Sequence, residues 1–261
     1  RGLGDVYKRQ PYFGGVRPEP TLITTKELQE TVRLEQAHLG LATDGDADRF
    51  GIVDQDGAFL EANQILPLLL DYLASTRQWH GSVARSVATT HQIDRVAALH
   101  GLAIFETPVG FKYIGELLAK GEVVMGGEES AGMSITGHVP EKDGILACLL
   151  VAEMVARKGK GVKELLGGLL EKVGPLFTKR EDVTLSEVMQ DNLAKVQENP
   201  PDTFAGRPIQ SVNRMDGCKF LMEDGSWFLL RSSGTEPLVR CYGAVSYTHL
   251  RAHETDSYLV C

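Results

Sequence analysis

The sequence has few cysteines and no long apolar run. Its four cysteines stand at positions 148, 218, 241 and 261, without C-x-x-C spacing, which predicts reduced thiols in a cytoplasmic protein. The longest apolar stretch, ILPLLLDYL, is short and contains Pro67 and Asp71. A signal-peptide pattern is also missing at the start of the sequence. We therefore expect no interaction with a membrane.

Positive charge is in deficit as well. The 261 residues contain 27 Lys and Arg against 35 Asp and Glu, a formal net charge of -8. This balance argues against nucleic acid as a partner, although a local basic site for an anionic small molecule is compatible with it. The apolar fraction of 43% is ordinary for a globular protein, and the length allows more than one domain.

The two ends of the sequence are related through one stretch of DNA. The peptide DVYKRQ at 5–10 can be encoded by GATGTGTATAAGAGACAG, and one reverse-complement frame of that DNA encodes VSYTH, which occurs at 245–249. We therefore expect residues 1–10 and 245–261 to be translated sequencing adapter, the alternative being a chance pair of disordered tails. On this hypothesis, residues 11–244 are a fragment of a longer protein.

Strand and helix patterns alternate through most of the sequence. After a helix at TTKELQETVRLEQ and two strands joined through a turn at 55–57, strands and helices alternate as far as DGILACLLVAEMVARKG. This order predicts βαβ units and a parallel sheet with ligands at the strand ends. The fold class is therefore α/β, with two βαβ-type domains, the first incomplete, and a smaller α+β C-terminal domain. The expected domains are 11–58, 59–160 and 175–244, with a linker at 161–174.

Three aspartates alternate in the stretch LATDGDADRFGIVD. Alternate residues of an extended loop point to one side, so Asp44, Asp46 and Asp48 can converge on a hard divalent cation, with Mg²⁺ favoured. A helix–loop–helix calcium site is disfavoured, because Arg49 and Gln55 stand where that site needs Gly and Glu. A solvated acidic turn is the other alternative. An arginine directly after the aspartates suggests a phosphorylated ligand beside the ion.

Two further motifs indicate an anionic sugar ligand. In MGGEESAG, Glu128 and Ser130 follow a predicted strand and offer a carboxylate and a hydroxyl to sugar hydroxyls, although a plain glycine-rich turn explains the motif as well. RSSGTEPLVR combines an arginine, hydroxyls and a glycine in a turn suited to an anion, and Thr235 can also cap a helix there. Its candidate phosphate-binding residues are Arg231, Ser232, Ser233, Gly234 and Thr235.

Isolated polar residues after predicted strands carry weaker signals. Thr107 and Lys112 lie in ETPVGFKYI, and His138 and Lys142 lie in HVPEKDG. A lysine at such a place is usually solvated surface, so each residue by itself is a weak candidate. We expect His91 to begin a helix rather than to act in catalysis.

Taken together, these motifs resemble the α-D-phosphohexomutases, the phosphoglucomutase and phosphomannomutase superfamily, over essentially all of 11–244. DGDADR is similar to the family's metal loop, GEES to its sugar-recognition loop and RSSGTEP to its phosphate-binding loop; FGGVRPEP, ETPVGFKYIG and PEKDG match as well. GEES together with TPVGFK resembles glucose-type phosphoglucomutases more than phosphomannomutases, which more often carry Met after the first glutamate, or phosphoglucosamine mutases, which carry Gln.

The resemblance implies a role for each matching residue. Asp44, Asp46 and Asp48 would bind Mg²⁺, Arg49 would lie beside the transferring phosphoryl group, and Lys142 would contact substrate and assist proton transfer. The remaining matches would bind a hexose phosphate or hexose bisphosphate: Thr107, Lys112, Glu128, Ser130 and His138 its sugar, and Arg231, Ser232, Ser233, Gly234 and Thr235 its non-reacting phosphate. The implied reaction interconverts glucose 1-phosphate and glucose 6-phosphate through a phosphoserine and a bisphosphorylated sugar.

The sequence departs from the family in one respect. Family members carry the phosphorylated serine in a motif like T-A-S-H-N-P, and no such stretch occurs here. We therefore expect this polypeptide not to turn over by itself. The alternatives are a phosphomannomutase or dual-specificity enzyme, and a non-catalytic module that binds a phosphosugar or a divalent metal. The sequence leaves the oligomeric state open.

Overall fold

The computed structural model describes residues 15–184, 187–232 and 238–246. Residues 1–10 and 247–261, which belong to the expected adapter segments, lie outside this part, as do Ser233, Gly234 and Thr235 of the predicted phosphate loop. The described residues form three units in chain order, each with its own sheet. The α/β class and the three-part arrangement are as predicted.

The first unit is a small antiparallel sheet that carries the aspartate-rich loop. Strand β2 is buried at every position, because helices pack on it and β1 and β3 flank it. Gly57, at φ +80°, closes the predicted hairpin turn by donating its N–H to the Asp54 carbonyl. The elements are α1 (Lys26–Leu34), β1 (Leu39–Thr43), β2 (Phe50–Asp54) and β3 (Phe59–Leu60).

The second unit contains the predicted parallel sheet. Strand β4 is central and pairs in parallel with β5 and β6, while β7 closes the other edge in antiparallel orientation, in the order β5-β4-β6-β7. The elements are α2 (Ala62–Arg77), β4 (Ser82–Ser86), α3 (Gln92–Leu99), β5 (Ala103–Thr107), α4 (Phe111–Ala119), β6 (Met125–Gly127), β7 (Met133–Ile135), α5 (Gly144–Lys158) and α6 (Val162–Val173).

Helix α2 supplies much of the core of the second unit. Ile65, Leu66, Leu69, Leu70 and Leu73 are all fully buried on it. A helix that is apolar on most of its faces must pack between other elements, and α2 lies against α3, α5 and α6. The same core extends into the first unit through β2.

The third unit is a six-stranded antiparallel sheet in the order β8-β13-β12-β11-β10-β9. Its inner face buries alternate residues of the central strands, such as Trp227 and Leu229. The elements are β8 (Phe177–Thr184), α7 (Glu187–Glu198), β9 (Thr203–Phe204), β10 (Arg207–Asn213), β11 (Cys218–Met222), β12 (Trp227–Ser232) and β13 (Leu238–Val245).

The structure corrects the predicted linker at 161–174. Most of this segment is helix α6, whose residues Val162, Leu166 and Leu169 are buried in the core of the second unit. The boundary was predicted from the change in sequence character after Lys160, but Gly161 and Gly174 bound a packed helix. The change to the third unit therefore falls after α6.

Strand β13 ends at Val245, which pairs with Phe177, so the strand extends one residue past the predicted end of the third domain. The described cysteines, Cys148, Cys218 and Cys241, form no disulfide. None of the helices in the described part of the chain is long and apolar enough to cross a membrane.

Candidate functional site

The three predicted metal ligands lie together on the loop between β1 and β2. Each of Asp44, Asp46 and Asp48 offers a carboxylate oxygen, and these atoms lie within 4.8 Å of one another. The loop is held from inside, because Asp44 Oδ1 accepts the backbone N–H groups of Asp48 at 2.9 Å and Arg49 at 3.1 Å. Strands flank the loop on both sides, which excludes the helix–loop–helix calcium site.

The charges around this loop are incompletely compensated. Lys142 Nζ lies 2.5 Å from Asp48 Oδ2, and Arg49 Nε lies 3.7 Å from Asp44 Oδ2. Burial and the neighbouring Asp48 nevertheless raise the pKa of Asp44 above its ordinary value. Asp48 Oδ1 is buried without a hydrogen-bond partner. That oxygen lies 3.8 Å from Arg49 Nε, too far for a hydrogen bond. A donor set of three carboxylates in which one oxygen accepts no hydrogen bond fits a hard divalent cation.

The second unit fixes the loop from behind. The N–H of Gly144, the first residue of α5, donates to the Ala47 carbonyl at 2.9 Å. A side chain at Gly144 would place its Cβ 2.3 Å from the Arg49 carbonyl oxygen, so only glycine allows this approach. The position of Arg49 is therefore set by both the first and the second unit.

Arg49 borders a cleft of about 470 Å³ to which all three units contribute. The first unit supplies Arg49 itself and Glu19, whose carboxylate lies 3.3 Å from Arg49 Nη1. The three aspartates that precede Arg49 are not among the lining residues. Side chains from the second and third units line the rest of the cleft, among them Glu61, Asn63, Glu129, Ser130, Arg180 and Tyr242. Such a mixture of carboxylates, cations and hydroxyls suits a polar, charged ligand.

Of the two residues predicted in the GEES motif, only Ser130 faces this cleft. Glu128 is buried, with its side-chain Oε1 accepting the Gly110 N–H at 2.7 Å, and it is not among the residues that line the cleft. Burial raises the pKa of Glu128 to about 7. In this structure Glu128 therefore ties the GEES motif to the start of α4.

Glu129, which sequence reasoning passed over, does line the cleft. Its Oε2 atom accepts hydrogen bonds from Ser86 Oγ at 3.0 Å and from Thr89 Oγ1 at 3.2 Å. Both hydroxyl side chains are fully buried at the end of the central strand β4. The signal in the sequence was faint, because the hydroxyls that orient this glutamate lie about forty residues upstream.

Three other predicted substrate residues lie away from the residues that line the cleft. Thr107 is buried and donates from Oγ1 to the Pro108 carbonyl at 3.0 Å. Lys112 is exposed, with its Nζ 4.8 Å from the centre of the Tyr113 ring. His138 is also exposed and shares a hydrogen bond of 2.8 Å with Asp143, the N-cap of α5. Thr107 ends strand β5, Lys112 lies in the first turn of α4, and His138 is on the loop between β7 and α5, all in the second unit.

The predicted phosphate-binding arginine lies at the end of β12 and contacts the second unit through one carboxylate. Arg231 Nε donates to Asp216 Oδ2 at 2.8 Å, and the same oxygen accepts the Val109 N–H at 2.9 Å. Ser232 is exposed at the last position of the strand. The structure thus brings Arg231 next to the loop that follows Thr107, although neither Arg231 nor Ser232 is among the residues that line the cleft.

A buried ionic cluster joins the second and third units, and sequence reasoning did not predict it. Lys219 of β11 is fully buried against Glu106 and His91 of the second unit. His91 occupies the N-cap position of α3, as expected. Burial and the nearby Arg85 lower its pKa to about 2, so the ring is neutral.

Fold and site together define an α/β protein with an interdomain cleft that cationic side chains line and with a candidate divalent-metal loop directly before one of them, Arg49. Family models of phosphoglucomutase/phosphomannomutase match most of the chain: domain II at residues 6–57, domain III at 61–173 and the C-terminal domain at 182–250. The chain belongs to this family, within the α-D-phosphohexomutase superfamily.

Relatives whose names give different substrates have similar sequence identity to this chain. "Phosphoglucomutase" of Rhizobium radiobacter is 33% identical over 95% of this chain and 49% of its own length. "Phosphoglucomutase/phosphomannomutase" of Thermococcus kodakarensis is 30% identical, over 88% and 48%. The crystal structure of pp63/parafusin, a phosphoglucomutase from Paramecium, in its open form has a TM-score of 0.76 at 27% identity, covering 95% of this chain and 48% of that one. The chain thus spans about half the length of these proteins.

Proposed function

We propose that this chain provides the metal, sugar and distal-phosphate recognition parts of a phosphoglucomutase that interconverts glucose 1-phosphate and glucose 6-phosphate. The observation that carries the proposal is the cleft itself, which is lined by side chains of all three units and is bordered by Arg49, the residue directly after the three aspartates. Membership of the family supports phosphosugar chemistry, and the GEES motif supports glucose over mannose.

In this proposal Asp44, Asp46 and Asp48 hold Mg²⁺, which supplies positive charge to a phosphoryl group in transfer. Arg49 borders the cleft directly after these ligands and binds phosphoryl oxygens, since a guanidinium matches their geometry. Lys142, paired with Asp48 at 2.5 Å, contacts the substrate in this proposal and takes part in moving a proton from the attacking hydroxyl.

The remaining predicted residues divide between the two ends of the sugar. Arg231 at the end of β12 binds the non-reacting phosphate, together with the hydroxyls and backbone of Ser232, Ser233, Gly234 and Thr235. On the sugar side, Ser130 and the newly identified Glu129 face the cleft. Glu128, Thr107, Lys112 and His138 reach the sugar in this proposal through a local rearrangement of the segments that carry them.

The reaction also needs a nucleophile, which the resemblance places in a serine motif that this sequence does not contain. We therefore propose that the chain binds the substrate and metal without turnover. Purified chain supplied with glucose 1-phosphate, a glucose bisphosphate and Mg²⁺ should form no glucose 6-phosphate. Sustained formation of that product would contradict this part of the proposal.

Calorimetry tests the site directly. The wild-type chain should bind Mg²⁺ and glucose 6-phosphate, and Asp46→Ala should weaken Mg²⁺ binding by at least about tenfold because one charged ligand is lost. Asp56→Ala is the matched control, because Asp56 is an exposed aspartate that pairs with Lys163 and lies on the turn between β2 and β3. Equal Mg²⁺ affinities for both variants would show that the aspartate loop is not the metal site.

Two alternatives have their own readouts. The shared phosphoglucomutase/phosphomannomutase name of the Thermococcus relative favours a phosphomannomutase or dual-specificity enzyme as the second candidate. Tighter binding of mannose 6-phosphate than of glucose 6-phosphate would support the former, and equal binding the latter. A module that serves only in binding would retain full affinity but would not contribute to turnover when combined with the serine-bearing part of a relative.

A further inference from the structure

The third unit inserts one lysine into the second unit. Lys219 is fully buried, and its Nζ donates to the Val87 carbonyl at 2.7 Å and to Glu106 Oε1 at 2.8 Å. The same Nζ lies 2.8 Å from His91 Nε2 and 4.5 Å from the centre of the Trp227 ring. Every N–H of the ammonium group therefore has an acceptor, and three of its four neighbours belong to the second unit.

The charge of Lys219 is balanced within the interface. Glu106 accepts from Lys219 and Arg85 through Oε1 and from Asn213 Nδ2 through Oε2, the latter at 2.6 Å. Arg85 is also paired with Asp94 on α3. Because a buried ammonium is costly unless it is fully hydrogen-bonded, this arrangement holds for one relative placement of the two units.

The segment that carries Lys219 also contacts the predicted phosphate-binding arginine. Lys219 pairs with Leu229 in the ladder between β11 and β12, and β12 ends at Arg231 and Ser232. Gly217 lies so close to β12 that a Cβ there would meet the Leu230 carbonyl oxygen at 2.3 Å. Asp216 then joins Arg231 Nε to the Val109 N–H of the second unit.

We propose that residues 216–219 are the docking segment that positions Arg231 relative to the sugar side of the cleft, with Lys219 as its main positioning residue. The inference rests on the proposed function, because it concerns where the distal phosphate of a bound sugar phosphate lies. It adds that the distance between the two ends of the ligand site is set by a buried contact outside the site.

Two ligands of different length distinguish positioning from a general structural role. Inorganic phosphate needs only the phosphate-binding residues of the third unit. Glucose 6-phosphate needs those residues and the sugar side of the second unit in the correct relative position. The ratio of the two affinities therefore reports how well the units are aligned, whereas general unfolding would lower both affinities.

The experiment compares Lys219→Met with the wild-type full chain by calorimetry, using inorganic phosphate and glucose 6-phosphate. We expect glucose 6-phosphate to bind about tenfold more weakly, with inorganic phosphate unchanged within about twofold. Lys195→Met, an exposed lysine on α7 of the same unit, is the control and should change neither affinity. Lys219→Arg, which keeps the charge, should recover part of the lost affinity.

If Lys219→Met does not fold, Asn213→Ala tests the same interface more gently, since it removes one hydrogen bond to Glu106. Asn213→Ala should also lower the ratio of the affinity for glucose 6-phosphate to the affinity for inorganic phosphate. An unchanged ratio in the folded variant overturns the inference while the proposed function stands. A wild-type chain that binds glucose 6-phosphate no better than inorganic phosphate overturns the proposed function, and the inference with it.

Discussion

The protein contains two clusters of charge that are built in opposite ways. In the aspartate loop, three carboxylates converge, the side chain of Arg49 is 35% exposed, and Asp48 Oδ1 has no hydrogen-bond partner. At the interface between the second and third units, Lys219 is 0% exposed and makes every contact that its ammonium group allows. An incomplete cluster leaves room for a ligand, whereas a complete one fixes the position of its neighbours.

The largest expected effect comes from breaking the complete cluster. Glu106→Ala removes the carboxylate shared by Lys219 and Arg85 and leaves two buried cations without it. We expect the free energy of unfolding to fall by about 4 kcal/mol in urea titrations. Glu122→Ala, an exposed glutamate before β6, should change it little. Similar losses for the two variants would mean that the interface charges are not coupled.

A smaller effect is expected from Glu128, a buried carboxyl group that belongs to neither cluster and whose charge depends on pH. Glu128 has a pKa raised from 4.5 to about 7 by burial, so the folded protein retains a proton that the unfolded chain loses. The contribution of Glu128 therefore lowers stability as pH rises between 4.5 and 7, by up to about 3 kcal/mol. Glu128→Gln should not show this loss when both proteins are unfolded by urea in the presence of a chelator. Parallel pH profiles would contradict the assigned burial.

The smallest expected effect concerns the residue that faces the cleft. Glu129→Ala leaves the hydroxyls of Ser86 and Thr89 without their shared acceptor, so we expect a loss of about 1–2 kcal/mol in unfolding free energy. Glu129→Gln keeps an acceptor and should lose less. If the alanine variant were as stable as the wild type, these hydroxyls would not orient the carboxylate.

The sequence alone predicted those features whose pattern lies within a short stretch of neighbouring residues. The D-x-D-x-D spacing predicts converging carboxylates because alternate residues of an extended loop share one side, and the structure places the three aspartates together. The parallel order of β4, β5 and β6 followed from alternating strand and helix patterns. The three-residue strand β7 was too short to leave a pattern of its own.

The features that the sequence did not predict depend on contacts between residues that are far apart along the chain. In the GEES motif, the buried and the cleft-facing glutamates are adjacent, and only the contacts with Gly110 and Thr89 decide which is which. From the sequence alone, Lys219 would be expected to be an exposed residue in a strand. Its hydrogen-bond acceptors lie more than a hundred residues away along the chain, so no local pattern indicates its burial. The linker at 161–174 was predicted from the change in sequence character after Lys160, and only the packing of Val162, Leu166 and Leu169 in the core shows that the segment belongs to the second unit.

The central claim is that the aspartate loop and the sugar-phosphate site belong to one cleft. Mn²⁺ in place of Mg²⁺ tests it, since a paramagnetic ion broadens the proton resonances of a ligand bound nearby. We predict broadening of glucose 6-phosphate resonances in the presence of the wild-type chain and Mn²⁺, and its loss in Asp46→Ala. Glucose 6-phosphate that binds the chain without being broadened by Mn²⁺ would contradict the account.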